Sequence, residues 1–341
     1  MDYLRVIGLC LLMFWVVGCQ KEEAAVESKE VANGTVSRGL DGRPMSIRFT
    51  DSTPTPANMA MIRNMPSLQE IHAEAPHVDD EDLAVLAKMP SLSVLSLTGT
   101  KATGKAIEAL AASKSLRHLD LSGAVGITDD GLKTLSGHAG LRVLKLSRIP
   151  LTDTIADVIT SLPKLEELSL DGTSITDATI ARIAEQNSKI KSLVIGSAQI
   201  TDNVIGAIAK FNELETLVIE KSPITGASLS ALGDLAKLKL IRLTDCVSIT
   251  NEAVMGLANI GVLYHLDVSG TQFTAVGLNQ NGFTSLNVLE ANRTRVTDDA
   301  IPQFKGLAAL YSVSLRGTKV TLAGVREHFA ENHQTAFRVD E

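Results

Sequence analysis

The stretch Leu165-Glu166-Glu167-Leu168-Ser169-Leu170-Asp171-Gly172-Thr173-Ser174-Ile175-Thr176-Asp177 decides how most of this 341-residue chain folds. The alternation Leu168-Ser169-Leu170 puts two apolar side chains on one face of a short strand. Farther on, Ile180 and Ile183 follow helical spacing. The same unit, L-x-x-L-x-L-x-x-T-x-I-T with a helix-like tail, recurs with a period of 24 or 25 residues. Its leading Leu or Ile falls at 68, 92, 116, 141, 165, 190, 214, 238, 263, 286 and 310, so eleven copies keep the register with slips of one residue. One period earlier, Pro44-Met45-Ser46-Ile47-Arg48-Phe49 occupies the same frame as a degenerate first copy. No copy can enclose its own apolar face, so each must stack on the next and share one continuous core.

The period and the L-x-x-L-x-L core resemble the leucine-rich-repeat family. The resemblance covers residues 44–341 and implies an α/β solenoid: a leucine-rich-repeat horseshoe with a parallel β-sheet on the concave face and helices on the convex face. It divides that region into a capping repeat over 44–67, eleven repeats over 68–335 and a C-terminal cap over 336–341. Physical spacing leads the same way. Strands stack about 4.8 Å apart and helices about 8–10 Å apart, so the array must curve with its strands inside. The version Ile127-Thr128-Asp129-Asp130-Gly131-Leu132 is similar to the repeats of ribonuclease-inhibitor-like and F-box leucine-rich proteins. No F-box is expected, because a hydrophobic leader and a polar spacer precede the repeats.

In that family the ninth position is often Asn or Cys, whose side chain satisfies backbone groups inside the turn. Here it is Thr100, Thr173, Thr271, Thr294 and Thr318, with Ser222 and Cys246 as variants. A hydroxyl ladder that bonds the bend it occupies is the expectation. The second Thr of the unit, at 128, 152, 176, 201, 250 and 297, precedes the helical half and suits an N-cap.

The first residues carry a separate signal. Val6 to Val17 is a run of twelve residues without a charge or side-chain amide, right for a signal-peptide h-region and too short for a bilayer span of about 20 residues. It ends in Val16-Val17-Gly18-Cys19, which resembles the lipobox of bacterial lipoproteins. The resemblance implies a signal peptide over 1–18, lipidation of Cys19 and a place in the bacterial cell envelope, with Gln20 pointing to the outer rather than the inner membrane. Two or three acyl chains would hold the protein stably where one would not. Residues 19–43 then read as the lipidated Cys and a flexible tether, rich in Glu, Lys, Ala, Ser and Gly, with a typical span of roughly 25–30 Å.

With Cys10 in the leader and Cys19 lipidated, Cys246 stands alone, so neither a disulfide nor a Cys-based metal site is expected in the mature chain. A formal charge of -7 argues against nucleic acid, which calls for a basic stripe. Hydrolase, metalloprotease, phosphate-loop and EF-hand motifs are missing. The His118-Leu119-Asp120 and His265-Leu266-Asp267 pairs each put two metal-ligand types on one strand face, but six repeats separate them, too far for a shared ion. The expectation is no catalytic residue, no metal and no cofactor.

Surface remains. The third, fifth and seventh positions of each unit project from the concave sheet, and most are polar. Val194, Thr216, Val218 and Leu240 interrupt that pattern on three neighbouring strands, with Lys145, Asp171, Glu220, Arg242 and Asp267 around them. An apolar centre in a charged rim is the anatomy of a protein interface. Val194, Thr216, Val218, Leu240, Glu220 and Arg242 are therefore the candidate partner-binding residues, and the partner is another protein or a glycan. The alternative is a regulatory or substrate-recognition subunit of an envelope enzyme.

Overall fold

A computed structural model of the chain describes residues 31, 33–50, 53–278, 282–329 and 334–340. The signal peptide and Cys19 lie outside the described residues. The strands are β1 (Thr35–Arg38), β2 (Pro44–Arg48), β3 (Glu70–Glu74), β4 (Val94–Thr98), β5 (His118–Asp120), β6 (Val143–Lys145) and β7 (Glu167–Ser169). They continue as β8 (Ser192–Ile195), β9 (Thr216–Ile219), β10 (Leu240–Arg242), β11 (His265–Asp267), β12 (Val288–Glu290), β13 (Ser312–Ser314) and β14 (Ala336–Arg338). Among the described residues they form one fourteen-stranded sheet in sequence order. Each pair from β2–β3 onward is parallel, with the repeat frame as its register: Leu144, Leu168 and Leu193 face one another in turn.

Packing follows the frame. Leu165, Leu168 and Leu170 are at most 1% exposed, as are the helix-spaced Leu132, Leu135, Ile180, Ile183, Ile205 and Ile208. These belong to one apolar cluster that runs from Val31 to Phe329. The outer layer is less regular than the sheet. Gly104–Ala111 and Asp177–Gln186 are α-helices, whereas Leu229–Asp234 and Asp298–Gly306 are 3₁₀ segments. Pro302 lies inside the last of these, where its missing N–H and its ring oppose an α-helical ladder.

The hydroxyl ladder is present. Oγ1 of Thr173, Thr271, Thr294 and Thr318 donates to the carbonyl three residues earlier at 2.6–2.7 Å, and Cys246 Sγ donates to Ile219 O at 3.4 Å. Burial pushes the Cys246 thiol up to about 11, so it is an inert buried thiol. The second Thr caps only some helices: Thr128 and Thr176 accept N-terminal N–H groups, while Thr250 and Thr297 make no side-chain cap bond. Its wider role is to bind the preceding repeat. Thr176 gives its N–H and its hydroxyl to Asp153 at 2.8 Å each, and the same pair of bonds joins Thr103 to Asp80, Thr201 to Asp177, Thr225 to Asp202 and Thr321 to Asp298. One carboxylate thus closes two donors at the next helix start and fixes the repeat-to-repeat spacing.

The bend after most of the strands uses left-handed backbone. Gly172 has φ 68°, and the equivalent Arg148, Asp245 and Arg293 have φ of 53–59° despite their side chains. Asp245 lies over Gly270, where an added Cβ would come within 2.1 Å of its Oδ1, and Arg293 Nη2 reaches Asp245 at 2.9 Å across that glycine.

The N-terminal end differs from the expectation. The tether read from composition over 19–43 does not extend to Arg43: Thr35–Arg38 pairs antiparallel with β2, and Val31 and Val36 are fully buried. This reversed strand covers the edge that β2 would otherwise expose. At the other end, residues 336–338 form a further parallel strand in register with β13. The phenyl rings of Phe304, Phe329 and Phe337 close the core there, with centroids 4.7–6.0 Å apart.

Candidate binding surface

The register aligns side chains into columns across the concave face. One column runs Glu167, Ser192, Thr216, Leu240, His265, and the next runs Ser169, Val194, Val218, Arg242, Asp267. The structure therefore brings Val194, Thr216, Val218, Leu240, Glu220 and Arg242 together on β8–β10. Their exposure is uneven. Val194, Thr216 and Leu240 are half-buried, but Val218 is only 6% exposed because Val194 and Arg242 flank it on the adjoining strands. Val218 is floor rather than open surface. Arg242 is also less available than a rim cation, since its Nε holds Asp267 at 2.9 Å and both side chains are largely buried.

Most carboxylates of this face are already satisfied. Asp120 accepts from Ser122 N at 3.0 Å, Asp171 from Ser147 and Ser169 hydroxyls, Asp267 from Arg242 and Ser269 N, and Glu290 from His265 at 3.0 Å. Glu70 has His72 at 3.6 Å. Among the described residues, Glu167 and Glu220 are the half-buried carboxylates of this face with neither a hydrogen bond nor an ion pair to the side chain. Burial raises both above the usual carboxylate range, against the attraction of Lys145 on Glu167 and of Arg242 on Glu220. Beside Glu220, Gly196 of the preceding repeat is buried against the backbone, where a Cβ would meet Glu220 O at 2.3 Å.

The two His-x-Asp pairs play different parts. Asp267 accepts from Thr244 Oγ1 and Arg242 Nε, and His265 pairs separately with Glu290. His118 has a buried Nε2 without a hydrogen-bond partner, and its pKa is pushed down to about 4, chiefly by burial and then by Lys145.

Two features escaped the sequence reading. Glu167 was passed over because its own strand, unlike β8–β10, carries no apolar residue at the open positions. Tyr264 and Tyr311 are 48% and 63% exposed. They occupy the second position of their repeats, on the rim where the strands begin, with Asn287 between them. On the preceding strands, from Arg142 to Lys239, the rim is charged and self-neutralised, by Arg142–Glu166–Lys191 and Glu215–Lys239. The visible signal was that this column turns from charge to Tyr-Asn-Tyr.

Comparison with known proteins agrees with this architecture. The family described as Leucine Rich repeat matches residues 112–136. Internalin InlF from Listeria monocytogenes superposes with a TM-score of 0.57 at 20% identity, covering 87% of this chain and 86% of its own. The fold is a leucine-rich-repeat solenoid. The yeast Rad7 and Elc1 complex gives a TM-score of 0.55 at 18% identity over 79% of this chain and 80% of that one. The mouse RP105/MD-1 complex gives 0.51 at 19% identity over 87% and 54%. No curated protein matches the sequence. At these identities the likeness shows the fold alone.

Proposed function

We propose that this leucine-rich-repeat chain is a non-catalytic binding protein of the bacterial cell envelope, held to a membrane by lipid on Cys19, which seats another protein on the concave centre formed by β8–β10. The observation that carries the reading is the placement of Val194, Thr216 and Leu240 at open positions on neighbouring strands, flanked by the polar Glu167 and Ser169 of β7 and His265 and Asp267 of β11. Exposed apolar side chains grouped within a polar surround mark interaction sites. Rad7 and RP105 are both solved with a second protein, Elc1 and MD-1, and a protein partner is the reading carried over here. A glycan is the second reading, favoured by Tyr264 and Tyr311, whose exposed rings present flat apolar faces beside Asn287. Service as the recognition subunit of an envelope enzyme would use the same surface.

Capture of membrane proteins by the wild type, by Leu240→Asp and by the convex-side control Lys133→Asp tests the site. Leu240 is the variant to use, since Val218 is buried in the unbound protein and a charge there would disturb the fold itself. Leu240→Asp should lose the captured protein and Lys133→Asp should keep it. Equal capture by all three would place the contact elsewhere.

The anchor is tested independently. No helix among the described residues is long and apolar enough to cross a membrane. If Val16-Val17-Gly18-Cys19 is a lipobox, cells fed a fatty-acid analogue should label the wild type and leave Cys19→Ser unlabelled. A wild-type protein that takes up no label would remove the anchor from the account.

A further inference from the structure

Val194 of the β8–β10 patch lies on a diagonal between two acids. Glu167 on β7, Val194 on β8 and Glu220 at the end of β9 each advance by one strand and two residues. With strands about 4.8 Å apart and residues about 3.3 Å apart, the two glutamates are about 16 Å from each other. They are also the two half-buried acids of this face that no described residue pairs, whereas Asp120, Asp171, Asp267 and Glu290 are bonded.

We propose that the concave centre receives an extended protein segment that sets two cationic side chains, four residues apart, on Glu167 and Glu220 and an aliphatic side chain between them over Val194. The proposal rests on the concave-face reading above and adds the chemistry of the partner. In an extended segment, residues i, i+2 and i+4 line one face and span about 13 Å. The stems of Lys or Arg make up the remaining 3 Å or so. Pairing a partly desolvated carboxylate with a cation recovers the interaction that burial withholds, so these two positions contribute more than the exposed rim ion pairs. Lys145 attracts Glu167 and Arg242 attracts Glu220, but neither forms an ion pair with them, and Arg242 is held by Asp267, so both carboxylates remain open to an incoming cation.

The probe is a display library of random dodecapeptides selected on the immobilised full chain, on a Glu167→Gln/Glu220→Gln double variant and on Leu240→Asp. Gln keeps the shape of the side chain, and thermal melting shows that each variant is folded before selection. The wild type should enrich peptides with Lys or Arg at i and i+4 and an aliphatic residue at i+2, at least about tenfold over the double variant. The enrichment should fall with added salt. No enrichment on the wild type, or the same peptides enriched equally on the double variant, overturns the proposal. Peptides that persist on the double variant but vanish on Leu240→Asp would overturn the cationic assignment and leave the concave site standing. Peptides indifferent to both variants would overturn both.

Discussion

Leu168→Ala should destabilise the protein by about 2–5 kcal/mol. Leu168 is 1% exposed at the middle of β7, in register with Leu144 and Leu193, and its deletion leaves a cavity that neighbouring repeats cannot collapse into without losing their own register. Val194→Ser, one strand away but pointing to the open face, should cost about 1 kcal/mol or less, because the side chain is half-buried and loses only part of its apolar contact. Urea denaturation of the two variants and the wild type compares them. Stacked repeats exchange stability with their nearest neighbours, so a transition that broadens or splits in Leu168→Ala agrees with the same reading. Equal losses from the two substitutions would mean that the inner and outer faces of the sheet are exchanged.

The second large effect is a pH dependence centred on His118. Its ordinary pKa near 6.5 falls to about 4 in the folded chain, first through burial and then through Lys145 and His72, with Asp120 and Glu70 opposing. Between those values the unfolded chain binds a proton that the folded chain refuses, so stability rises with pH through this window. Above pH 6.5 the folded state carries no penalty from the group. Acidifying towards pH 4 should therefore cost up to about 3 kcal/mol from His118 alone. His118→Leu should remove that part of the slope, and at neutral pH it should be as stable as the wild type or more so, because Nε2 has no partner to lose. Unfolding free energies of both proteins from pH 8 to pH 4 give the comparison. Parallel curves would show that His118 is solvated in the folded state.

The sequence carried the sheet almost completely. The L-x-x-L-x-L frame gave the register of β2–β13, since period-two alternation leaves one choice of which face is buried. The Thr173 rung of the ladder was legible because its partner lies three residues away, whereas Cys246 reaches Ile219 on the preceding strand. The Asp153–Thr176 bonds were not read, since their partners are 23 residues apart and the local Thr-Asp pairing offered a nearer explanation as a helix cap. β1 was hidden for a different reason. Val31 and Val36 are alone among polar residues, and only the antiparallel contact with β2 makes their burial worthwhile. Val218 was misjudged because pattern gives the face a side chain points to but not the bulk of what flanks it, and Arg242 is long enough to cover it. Tyr264 and Tyr311 fell outside the positions considered, on a rim that the strand alternation does not describe.

The partner is expected to meet the chain on β8–β10. A photo-crosslinking amino acid placed at Thr216, between Val194 and Leu240 on the open face, tests it most directly in the full chain on its membrane, with the same group at Lys133 on the convex side. Illumination should join the partner to position 216 and leave position 133 free, and Leu240→Asp in the same molecule should abolish the adduct. An adduct at 133 with none at 216 would contradict the account.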